Sequence, residues 1–310
     1  MKNILLALVL AGAVNAADQP AVSTVGQPVL VLDTDQYFMC PKWSPIGTDL
    51  ALTGPNYSSI YLYFFNANEV RMISDKPGTG FGMSWSHDGK SIAARVSKYE
   101  NRRRWSSIAV YTLENSQEDL ITDYVKLLPG ELAWSDNDDM IYLKYSNPQI
   151  FSIPGKAPSL PRADETIYYV DDNKIVSQSL SGSDTNILIS VNNTILEPVL
   201  SPDGQKIAYF VYGGNLWVTD LVKGTSIDLG KGEHPTWSAD SRKLAYMITE
   251  DDGHVLTQSD IYVINIDGTG MINLTDSPEK YEMHPDWSPD GRWIAYDTNE
   301  DGKIWMQEVR

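Results

Sequence analysis

This sequence predicts an all-β fold: a β-propeller of four-stranded antiparallel blades closed into a ring. Three observations predict it. A short unit of anchor residue, serine and tight turn recurs along the chain. Each copy runs into a β-prone segment followed by further short strand signals. The copies lie about one propeller blade apart.

The clearest copy is Trp287-Ser288-Pro289-Asp290-Gly291, leading into Trp293-Ile294-Ala295-Tyr296. Proline presets φ for a turn position, Asp bonds its own backbone and Gly takes φ > 0 without steric cost. The run that follows is β-prone. Five further copies are anchored on Trp43, Trp85, Trp134, Leu200 and Trp237, and a degenerate one on Leu160. The degenerate copy keeps the proline two residues before its anchor, Pro158, as do Pro198 and Pro235. Successive anchors are 42, 49, 26, 40, 37 and 50 residues apart. Seven anchors imply seven blades. The short 26-residue step leaves blade 3 room for only three strands, and six blades with an irregular insert is the competing count.

In each unit the anchor strand A and its partner B precede an aromatic or alternating strand C, such as Ile60–Phe64, Ile108–Thr112 and Asp260–Ile264. A short strand D follows, such as Leu120–Asp123 or Ile272–Asp276. The last unit ends at Val309 after its strand C. Val29-Leu30-Val31-Leu32-Asp33 matches the missing strand, so residues 29–34 are expected to close the ring in the last blade. Closure removes the free sheet edges that invite aggregation. Six tryptophans occupy repeat positions, and Trp237 and Trp287 are expected to be buried between blades.

Residues 1–16 read as a signal peptide: Lys2, an apolar run from Ile4 to Val14, and the small-residue site Val14-Asn15-Ala16. Residues 17–28 read as a flexible leader, and residues 29–310 as a single propeller domain. No later segment has the ~20 apolar residues of a membrane-spanning helix. The protein is therefore expected to be exported to the periplasm, or outside the cell, as a monomer without membrane insertion. The net charge is −17, and removal of Lys2 with the first 16 residues makes it −18. Such acidity argues against nucleic acid as a partner. Cys40 is the only cysteine, so no internal disulfide forms.

The repeated Pro-x-Trp-Ser-Pro-Asp-Gly-(Lys/Arg)-x-Ile-Ala-Tyr resembles the PD40, or TolB-like, propeller repeat, a WD40-like element, over roughly residues 29–310. The resemblance implies the propeller fold. It also implies function by analogy with periplasmic TolB, which binds the lipoprotein Pal and the envelope protein TolA. Other members are fused to peptidases, and the family resembles metal-dependent oligogalacturonate lyases. The sequence departs from TolB in that only the leader stands where TolB carries an N-terminal α/β domain. It shows no Gly-x-Ser-x-Gly nucleophile elbow.

Propeller topology puts the starts of the A strands and the B–C loops on one face. Three residues before each anchor stand Cys40, Gly82, Glu131, Ala157, Glu197, His234 and His284. Glu197, His234, His284 and Cys40 belong to neighbouring blades, and imidazole, carboxylate and thiolate are transition-metal ligands. The simpler reading is that His or Glu before Pro hydrogen-bonds the incoming loop, with no cofactor, and we favour it over a divalent metal. The B–C loop Arg102-Arg103-Arg104-Trp105 is the basic cluster of an acidic protein, suited to a partner's carboxylates. Glu131 and Glu197 complete the partner-binding set. Glu250–His254 reads as a plain turn, and Asp88-Gly89-Lys90-Ser91 lacks the first glycine of a phosphate loop. The sequence thus points to a non-catalytic scaffold that binds a protein or peptide in the cell envelope. The alternative is a metal-dependent lyase or hydrolase acting on an acidic saccharide.

Overall fold

The computed structural model describes residues 22–144, 148–157, 165–180, 185–278 and 280–310. It is a seven-bladed propeller. Blade 1 comprises β2 (Met39–Trp43), β3 (Asp49–Thr53), β4 (Ile60–Phe64) and β5 (Glu69–Ser74). Blade 2 comprises β6 (Ser84–Trp85), β7 (Ser91–Glu100), β8 (Arg103–Thr112) and β9 (Gln117–Leu120). Blade 3 shows, among the described residues, β10 (Glu131–Trp134), β11 (Met140–Lys144) and β12 (Gln149–Ser152), in line with the three strands expected from its short spacing. Blade 4 shows β13 (Thr166–Asp171), β14 (Lys174–Ser179) and β15 (Thr185–Ser190). Its anchor Leu160 lies outside the described residues, as do residues 1–16, read as a signal peptide, and residues 17–21, read as leader.

Blade 5 is β16 (Ile195–Leu200), β17 (Lys206–Val211), β18 (Leu216–Asp220) and β19 (Thr225–Gly230). Blade 6 is β20 (Glu233–Trp237), β21 (Lys243–Asp251), β22 (Leu256–Asn265) and β23 (Ile272–Asn273). Blade 7 joins β24 (Glu282–Trp287), β25 (Trp293–Thr298) and β26 (Ile304–Val309) to the N-terminal β1 (Thr24–Leu30).

The anchor serine explains why the A–B turn repeats. In blades 2, 5, 6 and 7 its hydroxyl donates to the Asp two residues on, at 2.5–2.7 Å. The same oxygen accepts the backbone N–H five residues on, at 2.9 Å. One buried hydroxyl therefore organises both arms of the turn. Beyond it, the alternation of each B strand sends side chains into both neighbouring blade interfaces. Seven apolar clusters result, one between each pair of successive blades, including blades 7 and 1.

The anchor tryptophans sit in these clusters. Trp43, Trp134, Trp237 and Trp287 are buried, and Trp85 is half-buried. Three of the indoles donate to the backbone carbonyl just before the preceding blade's anchor. These are Trp85 to Lys42 (3.3 Å), Trp134 to Ser84 (3.0 Å) and Trp237 to Val199 (2.9 Å). Trp287 instead donates to Gly291 in its own turn, at 3.0 Å. Leu200 departs from the buried pattern: it is exposed.

The closing strand begins five residues earlier than the sequence suggests. Gly26 and Pro28 interrupt the apolar pattern, and the strand absorbs the interruption as a bulge between Val25 and Val29, with Gly26 at φ +71°. Residues 24–28, read as leader, are therefore strand. The pairing extends beyond both ends of β1. Ser23 and Arg310 exchange two backbone hydrogen bonds at 3.1 Å, and Val31 donates to Ile304 at 2.8 Å. Deleting residues 22–34 should cause a large drop in melting temperature or aggregation, because it bares the outer edge of blade 7 and removes Leu32 from the seam with blade 1. An unchanged melting temperature would contradict this closure.

Candidate functional site

The A strands do not enter the ring straight. In blades 1, 5, 6 and 7 the register slips just before the anchor. The residue at the slip is Cys40 (φ 53°), Glu197 (φ 47°), His234 (φ 52°) or His284 (φ 50°). Each precedes a proline, which normally pushes the residue before it into extended backbone. Each instead holds a left-handed conformation that costs a side-chain-bearing residue about 1–2 kcal/mol. Bulges of this kind re-aim side chains. Here they turn four adjacent blades' side chains into one cavity of about 460 Å³ at the ring mouth.

The cavity brings together Cys40, Glu131, Glu197, His234 and His284 from the sequence-derived set. Arg102, Arg103, Arg104 and Trp105 are not among its lining residues. They cap a long hairpin in which β7 and β8 stay paired to Glu100 and Arg103, with Asn101 (φ 51°) and Arg102 (φ 61°) forming the turn. Arg104 turns back along the hairpin, its Nε donating to Ser97 Oγ at 2.9 Å. Of the stretch Glu250–His254, read as a turn, Glu250 and Asp251 end β21. The turn that follows is closed by Asp252 Oδ1, which accepts the backbone N–H groups of His254 and Val255, both at 2.9 Å.

Each imidazole is engaged by a carboxylate. His234 Nδ1 lies 2.7 Å from Glu197 Oε2, and His284 Nδ1 lies 2.9 Å from Asp297 Oδ1. The two rings meet edge to face at 5.1 Å. Asp297 is almost fully buried, and the same oxygen accepts the Cys40 backbone N–H at 3.0 Å. Burial opposes charge on His284, but the Asp297 charge and hydrogen bond outweigh it, with help from Cys40, and push its pKa up to about 10. Tyr57 is pushed up from the ordinary phenol value, first by burial and then by Cys40. Lys42 pairs with Asp286 at 3.1 Å and Lys144 with Glu131 at 3.2 Å. Among the described residues no three His, Cys, Asp or Glu side chains converge as a metal-binding group.

Sequence reasoning missed Arg95, Lys144 and Asp297. All three stand ten residues after their anchor, as the fourth residue of the B-strand run. A charge at a position where blades 4, 5 and 6 carry Val170, Phe210 and Met247 was the available signal. Tyr57, from the B–C loop of blade 1, carried no such signal.

His284 supplies a pH test. An unfolded imidazole titrates near 6.5 and the folded one near 10. Its stabilising contribution is therefore complete below pH 6.5 and fades as the pH rises to about 10. Denaturant midpoints measured across that window should fall with pH in the native protein, and this component of the slope should vanish in Asp297→Asn. Equal slopes in both proteins would contradict the pairing.

Comparison with known proteins agrees with this architecture. Residues 164–309 match the family described as the TolB beta propeller domain. A Tol-Pal system protein TolB from Anaeromyxobacter dehalogenans is 29% identical over 111 residues, covering 34% of this chain and 24% of the relative. The matched region thus spans about a quarter of the curated relative's length. The crystal structure of TolB from Acinetobacter baumannii superposes with a TM-score of 0.52 at 18% identity, covering 90% of this chain and 59% of that one. An oligogalacturonate lyase from Vibrio parahaemolyticus superposes with a TM-score of 0.60 at 12% identity, covering 93% and 97%. These structural likenesses establish the fold alone.

Proposed function

We propose that this chain is an exported, TolB-like propeller that acts as a non-catalytic binding scaffold for a protein or peptide in the cell envelope, with the cavity mouth as its binding face. The observation that carries the reading is the composition of that mouth. Lys144 pairs there with Glu131, Lys42 with Asp286 and His234 with Glu197, beside an apolar surface of Phe81, Met83, Val199, Leu200 and three prolines. Phe81 is 53% exposed. An apolar centre with charged groups around it is the anatomy of a protein interface. An aromatic side chain in such a place is a typical energetic anchor.

Apart from Arg95, the charged and imidazole groups of the mouth are each held by a partner side chain rather than poised as a nucleophile and its base, which suits recognition better than turnover. The basic hairpin of blade 2 extends the same face outward and supplies charge for steering an acidic partner. Residues 1–16 support export. The likeness to TolB, named for the Tol-Pal system, supports an envelope partner.

A photo-crosslinking residue placed at Phe81 tests this directly, with the same residue at Ile46 as the control. Ile46 is 57% exposed and lies in an A–B turn, on the opposite face of the ring. Position 81 should give a discrete protein adduct in the cell envelope and position 46 none. No adduct from position 81, or the same adducts from both, would reject the mouth as the binding face.

A further inference from the structure

Among the charged groups lining the mouth, Arg95 differs from the rest. Lys42, Lys144, Glu131, Glu197, His234 and His284 each have an oppositely charged or carboxylate–imidazole partner within 4 Å. Arg95 has no carboxylate within that distance among the described residues. One terminal nitrogen donates to the Gly130 carbonyl, and the guanidinium lies 5.9 Å from the Phe81 ring centre. Its Nε is buried and has no hydrogen-bond partner. Burial, and then the nearby charge of Arg104, lower its pKa from the ordinary value, and Glu131 only partly opposes them. A half-buried, uncompensated guanidinium is a costly arrangement.

The ring leaves space in front of this side chain. Blade 2 has Gly82 (φ +67°) where blades 1, 5, 6 and 7 place Cys40, Glu197, His234 and His284, and a Cβ at Gly82 would meet nothing within 4 Å. The missing side chain opens the cavity beside Arg95, which lines it and whose guanidinium has, among the described residues, only the Gly130 carbonyl as a hydrogen-bond partner. The cavity, about 460 Å³, has the size of a pocket for a small ligand or one or two residues of a peptide. The fork geometry matches a carboxylate in a bidentate manner. Glu131 and Glu197, which also line the cavity, disfavour a polyanion, while Phe81, Met83 and Leu200 favour an apolar group next to the single negative charge.

We propose that Arg95 is the receptor for a single carboxylate carried by a peptide segment that enters the mouth, with Phe81, Met83 and Leu200 packing against the apolar group beside it. This rests on the mouth being the peptide-binding face and adds the chemistry that the face selects.

The test follows the Arg95 Nε–H signal by NMR in the native protein. The probes are N-acetylphenylalanine, a chain-terminus carboxylate; N-acetylglutamate α-amide, a side-chain carboxylate; N-acetylphenylalaninamide, the neutral control; and digalacturonate, an acidic saccharide. At least one of the first two should shift the signal saturably, at concentrations about tenfold or more below those the neutral amide requires. The stronger of the two identifies the carboxylate source. Arg95→Gln should retain the native melting temperature and lose the preference for acid over amide. Equal responses to acid and amide would overturn the proposal, as would a preference that survives in Arg95→Gln or a response to digalacturonate alone. The native comparison decides even if the variant does not fold. A cross-linked partner at Phe81 without carboxylate preference would sink this proposal and leave the scaffold function standing. Carboxylate preference without any such partner would do the reverse.

Discussion

Each blade is held to its neighbour through strand A, and the rest of the molecule depends on that joint. The anchor tryptophan lies in the apolar cluster between blades, and in blades 2, 3 and 6 its indole N–H reaches the carbonyl just before the preceding anchor. Because the bond always lands one residue before the neighbouring anchor, it fixes the blades in height as well as contact. At the seam Asp286 takes over this role, accepting the Trp43 backbone N–H at 2.7 Å and pairing with Lys42. A ring of A strands at one height brings their starts to one rim. The cavity is a consequence of this stacking.

The rim is built from strained backbone. Four side-chain-bearing residues, each before a proline, hold φ near +50°. Such conformations persist only where the surroundings over-determine them, and they concentrate at ligand clamps and active sites. The fold can accept glycine at this position, since Gly82 occupies it in blade 2 with φ +67°. Cys40, Glu197, His234 and His284 therefore keep side chains where glycine would relieve the backbone. Three of the four belong to close imidazole–carboxylate pairs: His284 with the nearly buried Asp297, and His234 with the partly exposed Glu197. His284 clearly does structural duty through Asp297. His234 and Glu197 are open to the cavity and have far less to contribute to stability.

Much of this was legible in the sequence because the repeat encodes local chemistry. The anchor serine, its Asp partner and the turn glycine give the A–B turn without reference to the rest of the chain. Seven anchors give seven blades, and the 26-residue step gives the thin third blade. The residues before the prolines were legible as a set for the same reason. Arg95 was not, because its significance comes from what surrounds it: the empty Gly82 position, Gly130 just before the next blade and the absence, among the described residues, of a carboxylate within 4 Å. None of these is a property of local sequence. The start of β1 was misplaced because a bulge carries Gly26 and Pro28 inside a strand, against ordinary strand propensity. The hairpin arginines, expected on the binding face, are not among the residues that line the cavity. Their B–C loop does share the face, but a ten-residue strand carries its tip away from the mouth.

The claim that these rim side chains are kept for binding is most directly tested by His234→Gly. Glycine removes the left-handed strain at φ 52°, and the imidazole–carboxylate contact it deletes is partly exposed. The greater freedom of glycine in the unfolded chain offsets part of the gain. The account predicts that unfolding free energy stays level or rises by up to about 1 kcal/mol, while cross-linking from Phe81 weakens. A loss of more than about 2 kcal/mol with cross-linking undiminished would show that the side chain serves the fold, and would contradict the account.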